Sequence, residues 1–144
     1  MRRTALAAPL LLALACSEPP TASRPPAPAA PAGTAAALQV RDDSGSAGPF
    51  RLGDLARLRL DVLFASEDRG AHTLRIDVLS PGGALYAQLN GSVEVGADGK
   101  GSVSQPLEIA GTPIDRFRQI GKWRFLVGVD GGAPLASAEV ELTE

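Results

Sequence analysis

The sequence predicts an all-β protein: a single antiparallel β-sandwich of roughly seven or eight strands over residues 38–144, preceded by segments that do not belong to the fold. Three observations carry that expectation. Short runs of alternating apolar and polar residues recur along this stretch, Gly, Pro and Asp clusters separate them at intervals of roughly 8 to 12 residues, and no long window keeps a helical period.

Leu38-Gln39-Val40-Arg41 opens the domain, and Asp42 to Gly48 follows as a polar loop. After Gly53-Asp54 comes a run in which Leu58, Leu60, Val62 and Phe64 share one face while Arg57, Arg59 and Asp61 share the other, so one side is core and the other wet. Thr73 to Leu79 repeats the pattern, with Leu74, Ile76 and Val78 inward, and Ser80-Pro81-Gly82-Gly83 ends it as a turn. Two short runs, Ala84 to Leu89 and Ser92 to Val95, precede a tight Asp98-Gly99 turn. In Ser102 to Ile109, Pro106 cannot donate to a ladder, which marks an edge strand, a strand start or a kink.

The last two runs, Lys122 to Val129 and Ala136 to Leu142, form a hairpin across Asp130 to Leu135. Closing it with Asp130 opposite Leu135 sets Val129 against Ala136, Val127 against Ala138, Phe125 against Val140 and Trp123 against Leu142, all apolar, with Arg124 opposite Glu141 on the wet face. A slip of one residue would turn the apolar set into water. The Gly-Asp leading into an early strand, the Pro-Gly turn in the middle and Gly121-Lys122-Trp123 before a closing hairpin are similar to features of bacterial immunoglobulin-like and fibronectin-type domains. The antibody-type cysteine pair is missing, and the resemblance implies an architecture, not an activity.

The N-terminus has a different character. Met1-Arg2-Arg3 is basic, and Thr4 to Ala15 is an uncharged, mostly apolar run too short to cross roughly 30 Å of hydrocarbon as a helix. Ala13-Leu14-Ala15-Cys16 resembles the lipobox of bacterial lipoproteins, with Ala13 where that family prefers Leu. The resemblance implies that residues 1–15 are a signal peptide removed on export, that Cys16 carries the lipid, and that Ser17 permits sorting to the outer membrane. The competing reading is an ordinary secretory signal cut after Ala13 or Ala15, leaving Cys16 as a stray thiol in an exported chain. Residues 16–37 then form a lipidated cysteine followed by a Pro/Ala-rich tether. Ser17 to Ala37 holds half of the 12 prolines, no aromatic residue, and only Glu18 and Arg24 as charges. Such a stretch cannot bury enough apolar surface to offset its ordering entropy. Fully extended at about 3.1 Å per residue, it reaches on the order of 60 Å.

The whole chain carries a net charge of −2, and the form without Arg2 and Arg3 carries −4. This acidic balance provides no electrostatic footprint for nucleic acid and no polybasic attraction to anionic lipid. With one cysteine in 144 residues there is no intrachain disulfide, so an apolar core must hold the domain.

Few residues suggest chemistry. Trp123 alternates with Phe125 and is expected in the core; His72, the only histidine, reads as a loop residue rather than a metal ligand. Asp42-Asp43-Ser44-Gly45-Ser46 has oxygen ligands suggestive of Ca²⁺ but lacks the bidentate Glu of an EF-hand loop, and a polar turn fits it better. Gly99-Lys100-Gly101-Ser102 lacks the first glycine of a phosphate loop. Ile114 to Ile120 is the segment most suggestive of a partner, because Arg116, Phe117 and Arg118 combine residue types enriched at interface hot spots, but a crossover loop whose Ile114, Phe117 and Ile120 cap the sandwich fits it better. No cofactor, metal or catalytic set is expected. The expected function is that of a non-enzymatic binding or scaffolding lipoprotein, held at the outer membrane through acyl chains on Cys16 and serving another envelope protein, such as a component of a surface motility or attachment machine. The alternative is an extracytoplasmic binder of glycan or Ca²⁺.

Overall fold

The computed structural model describes residues 33–144, so the expected signal segment, Cys16 and nearly all of the tether lie outside the described residues. Within them the chain is almost entirely β, arranged as two sheets. The strands are β1 (Ala35–Asp42), β2 (Phe50–Arg51), β3 (Arg57–Ala65), β4 (Gly70–Leu79), β5 (Leu85–Val95), β6 (Lys100–Glu108), β7 (Gly121–Val129) and β8 (Ala136–Thr143). A 3-10 turn at Leu52–Asp54 precedes β3, and a four-residue helix α1 (Pro113–Arg116) lies between β6 and β7.

One sheet has the order β1-β3-β6 and the other β2-β8-β7-β4-β5. Every pairing is antiparallel except the two-residue match of β2 with β8. The larger sheet curls as a half-barrel, which the expectation of two plain facing layers did not include. Consecutive strands β5 and β6 belong to different sheets, joined by the Gly96–Gly99 turn in which Gly99 N–H donates to the Gly96 carbonyl at 3.0 Å. Gly101 makes that step from sheet to sheet possible, because a Cβ there would run into the Glu94 carbonyl oxygen of β5.

The expected alternation places the core. Leu58, Leu60, Val62 and Phe64 of β3 meet Leu74, Ile76 and Val78 of β4 and Trp123, Phe125 and Val127 of β7, all buried. Each such side chain contributes about 1.5–3 kcal/mol by leaving water. β6 is an edge of its sheet, where the missing N–H of Pro106 is tolerated.

Three details depart from expectation. β1 starts at Ala35, so three alanines assigned to the tether pair with β3 through Ala35↔Ala65, Ala36↔Phe64 and Ala37↔Leu63. The two runs expected around Asn90-Gly91 are one strand, because Gly91 pairs with Leu74 and leaves room for Gln105, whose Nε2 would lie 2.6 Å from a Cβ at that position. In the closing hairpin the faces are as expected but the register is two residues tighter: Val127↔Ala136, Phe125↔Ala138, Trp123↔Val140. Arg124 accordingly meets Glu139, at 3.0 Å, and Glu141 lies opposite Lys122. The cause is Asp130, whose N–H donates to the Thr73 carbonyl at 3.0 Å and holds the end of β7 on β4, so β8 can leave only after Leu135 N–H has bonded the Val127 carbonyl at 2.7 Å.

The up-and-down course of the strands sorts the connections into two poles. One gathers Gly33, where the described chain enters, with the β3–β4, β5–β6 and β7–β8 loops; the other gathers the β1–β3 connection, the β4–β5 turn and the α1 segment. Strands of eight to eleven residues, at about 3.3 Å per residue, put roughly 30 Å between them.

Candidate functional site

The α1 segment is built by Thr112 ahead of the helix, Pro113 at its first turn, and Arg118 in the left-handed region at φ 46° after it. Pro suits a helix start because its fixed φ is helical and its absent N–H is not needed there. The helix turns Ile114 fully into the core and Phe117 and Ile120 out, 75% and 44% exposed. Ile114 therefore caps the core alone; the expected three-residue cap does not form, because a single turn of helix can direct only one of these positions inward. The tip is held from below by Asp115, which accepts from Gly111 N–H at 2.8 Å, and by Gln119, whose N–H donates to the Ile114 carbonyl at 2.9 Å and whose carbonyl accepts from Trp123 Nε1 at 3.0 Å. Arg118 pairs with Glu144 at 3.0 Å, while Arg116 is exposed and forms no ion pair with any described residue. An aromatic ring, an isoleucine and a free guanidinium thus stand on a fixed support.

At the other pole, His72 lies within β4 and is 8% exposed, not in a solvated loop. Its Nδ1 is 2.7 Å from Asp130 Oδ2, its Nε2 is 3.0 Å from the Asp68 carbonyl oxygen, and its ring meets Phe64 edge-on at 5.2 Å. Both ring nitrogens face acceptors. A neutral imidazole has one N–H and one lone pair, so only the imidazolium satisfies both. The Asp130 hydrogen bond, backed by the Asp68 carbonyl, raises the His72 pKa against the opposing effect of burial. Asp130 is held below the usual carboxylate range, first by His72 and then by Thr73, whose N–H and Oγ1 donate to Oδ1 at 2.9 and 3.1 Å. This cluster ties β3, β4 and the β7–β8 loop together. Its signal was present in the sequence: His72 is in phase with Leu74, Ile76 and Val78, and carrying the alternation back one step turns it inward.

The other candidates resolve into structure. Trp123 is 1% exposed and packs edge-on against Tyr86 at 5.2 Å, as its alternation with Phe125 predicts. Asp42 Oδ1 is taken by Ser44 Oγ at 2.6 Å and Ser46 N–H at 2.8 Å, and Asp43 faces Arg57 at 3.0 Å, so these oxygens are engaged in a turn. Gly99 to Ser102 turn into and begin β6. An open cleft of about 460 Å³ lies between Ser66, Glu67, Arg69, Asp98 and Gly99 at the pole where the chain enters. Among the described residues, no three His, Cys, Asp or Glu side chains converge as metal ligands, and no helix is long and apolar enough to cross a membrane.

No family model matches the chain, and no curated protein matches it. Among solved structures, it is similar to an alkylpurine DNA glycosylase of Pseudomonas fluorescens bound to DNA containing an abasic site analog, at 21% identity and a TM-score of 0.49, over 77% of this chain and 30% of that one. A β-glucosidase from Kluyveromyces marxianus matches at 12% identity and a TM-score of 0.46, over 77% of this chain and 14% of that one. The chain spans less than a third of the length of either protein.

Proposed function

We propose that this chain is a cell-envelope lipoprotein, anchored through Cys16, whose immunoglobulin-like sandwich is a non-enzymatic binding module for another envelope protein. The observation that carries the reading is the position of Phe117: an aromatic side chain 75% exposed, beside Ile120 and an unpaired Arg116, at the pole opposite Gly33. A tether that enters at Gly33 would leave that tip facing away from the anchoring surface. The immunoglobulin-like description is supported by the order β1-β3-β6 against β2-β8-β7-β4-β5, with the chain changing sheets at each step except β4 to β5 and β7 to β8. Exposed apolar side chains on a rigid, basic-rimmed support are what an interface anchor needs, since little ordering entropy is lost on docking. The calcium alternative is disfavoured by Asp42 and Asp43, whose carboxylates are already engaged by Ser44, Ser46 and Arg57.

Two measurements test the proposal. Cys16→Ser should move the protein from the membrane to the soluble fraction, and retention of the variant would contradict acyl anchoring. After detergent solubilisation, the parent chain should recover a specific envelope protein that Phe117→Ala loses. Equal recovery by both, or recovery of nothing specific, overturns the assignment of the tip.

A further inference from the structure

At the pole where the described chain enters, His72 joins two loops that are held with unequal strength. Asp130, in the β7–β8 loop, is fixed whatever the ring does: its N–H donates to the Thr73 carbonyl at 3.0 Å, and its Oδ1 accepts from Thr73 N–H at 2.9 Å and from Thr73 Oγ1 at 3.1 Å. The β3–β4 loop has less. Asp68 N–H donates to Ser66 Oγ at 3.1 Å, Ser66 N–H donates to the Gly99 carbonyl at 3.0 Å, and the Asp68 carbonyl meets His72 Nε2 at 3.0 Å. Gly70, the first residue of β4, has φ 105° and open space where a Cβ would stand, so it can absorb a change in the direction of the loop ahead of it.

We propose that His72 is a proton-operated latch on the β3–β4 loop: the imidazolium holds the Asp68 carbonyl, and loss of the Nε2 proton releases it and widens the cleft beside Gly33. Ser66, Glu67 and Arg69 of that loop form one wall of the cleft, and Asp98 and Gly99 form the other. When the ring gives up one proton, the other stays on Nδ1, which faces a firmly held carboxylate at 2.7 Å. Nε2 then turns a lone pair toward a carbonyl oxygen 3.0 Å away, so two acceptors meet with no hydrogen between them. The loop gives way, and Asp130 does not. Among the described residues, Asp130 and Asp68 are the charged groups that face the ring, while β3 presents Phe64 edge-on and β5 places Val93 in register with His72. Both carboxylates favour the imidazolium, so the latch is closed through the ordinary histidine range and opens on its alkaline side.

A titration of the isotope-labelled full chain in detergent, followed by nuclear magnetic resonance from about pH 5 to 10, tests this. The His72 ring nitrogens give the midpoint and the tautomer, the Asp68 carbonyl carbon reports its hydrogen bond, and nuclear Overhauser contacts from the ring show which neighbours stay. The neutral ring should carry its proton on Nδ1, and the Asp68 carbonyl should shift with the midpoint of the ring. Ring contacts to the β3–β4 loop should be lost while those to Phe64 and Asp130 persist. Asp130→Asn, which removes the carboxylate that favours the imidazolium, should lower the ring and carbonyl midpoints together. A neutral ring protonated on Nε2, loop contacts that survive deprotonation, or a ring still charged at about pH 10 would overturn the proposal, as would midpoints that separate in Asp130→Asn.

Discussion

Replacing Asp130 with Asn removes one charge and little else. Asn tolerates the left-handed φ of 51° at this position, and its amide oxygen can still accept from Thr73 N–H. What is lost is the carboxylate that His72 Nδ1 meets at 2.7 Å. A hydrogen bond to a charged group is worth about 1.5–3 kcal/mol net, but the Asp130 side chain is 39% exposed, and solvent screening brings the expected loss to about 1–2 kcal/mol. For a domain of this size, that lowers Tm by roughly 4–8 °C. The pH dependence distinguishes this cause from a general weakening. His72 has its pKa raised on folding, so its share of the stability is complete below the unfolded value of about 6.5 and is lost as pH rises through the folded value. Asp130 has its pKa lowered, so the same interaction is present above about 3.9 and is lost as pH falls through the folded value. Thermal melts from pH 3 to 9 should show the parent and Asp130→Asn furthest apart near pH 5 to 6 and converging on both sides. Parallel curves across the whole range would refute the ionic reading of the cluster.

Other substitutions probe the two poles and the core. Ile114→Ala, which empties a fully buried site beneath α1, should cost about 2–5 kcal/mol in denaturant melts, whereas Phe117→Ala three residues later should stay within about 0.5 kcal/mol of the parent. Gly101→Ala should destabilise by about 1–3 kcal/mol, because the new methyl meets the Glu94 carbonyl where the chain changes sheets, and an unchanged Tm would exclude that close approach. A double-mutant cycle on Arg124 and Glu139 should give a coupling of about 0.2–1 kcal/mol, and the same cycle with Glu141 in place of Glu139 should give none, which reads the hairpin register directly.

The parts of the fold legible in the sequence are those set by local periodicity. Alternation in β3, β4 and β7 assigned Leu58 to Phe64, Leu74 to Val78 and Trp123 to Val127 to the core, because a period of two leaves no other face for them. Register was legible only in its parity. Shifting the β7–β8 hairpin by two residues keeps every side chain on its face, so the apolar pattern cannot tell Phe125↔Val140 from Phe125↔Ala138. The candidate site was half legible. Arg116, Phe117 and Arg118 stood out as residue types, but which of Ile114, Phe117 and Ile120 turns inward depends on where one helical turn rests on the core. The inward turn of His72 was legible in its phase with Leu74, Ile76 and Val78, but its partner Asp130 was not, because that carboxylate reaches it only once β7 is paired beside β4.

The sequence by itself determined the all-β class, the inward and outward faces of its central strands, and the position of its most telling aromatic loop, since all three follow from neighbours a few residues apart. Only the tertiary structure decided that β5 and β6 separate into different sheets and that the hairpin closes at Val127. It also decided that a histidine is clamped between a carboxylate and a carbonyl, and that the Phe117 tip stands at the far pole from Gly33. Each of these depends on contacts between residues distant along the chain, whose geometry is set by how the whole core packs and not by any local pattern.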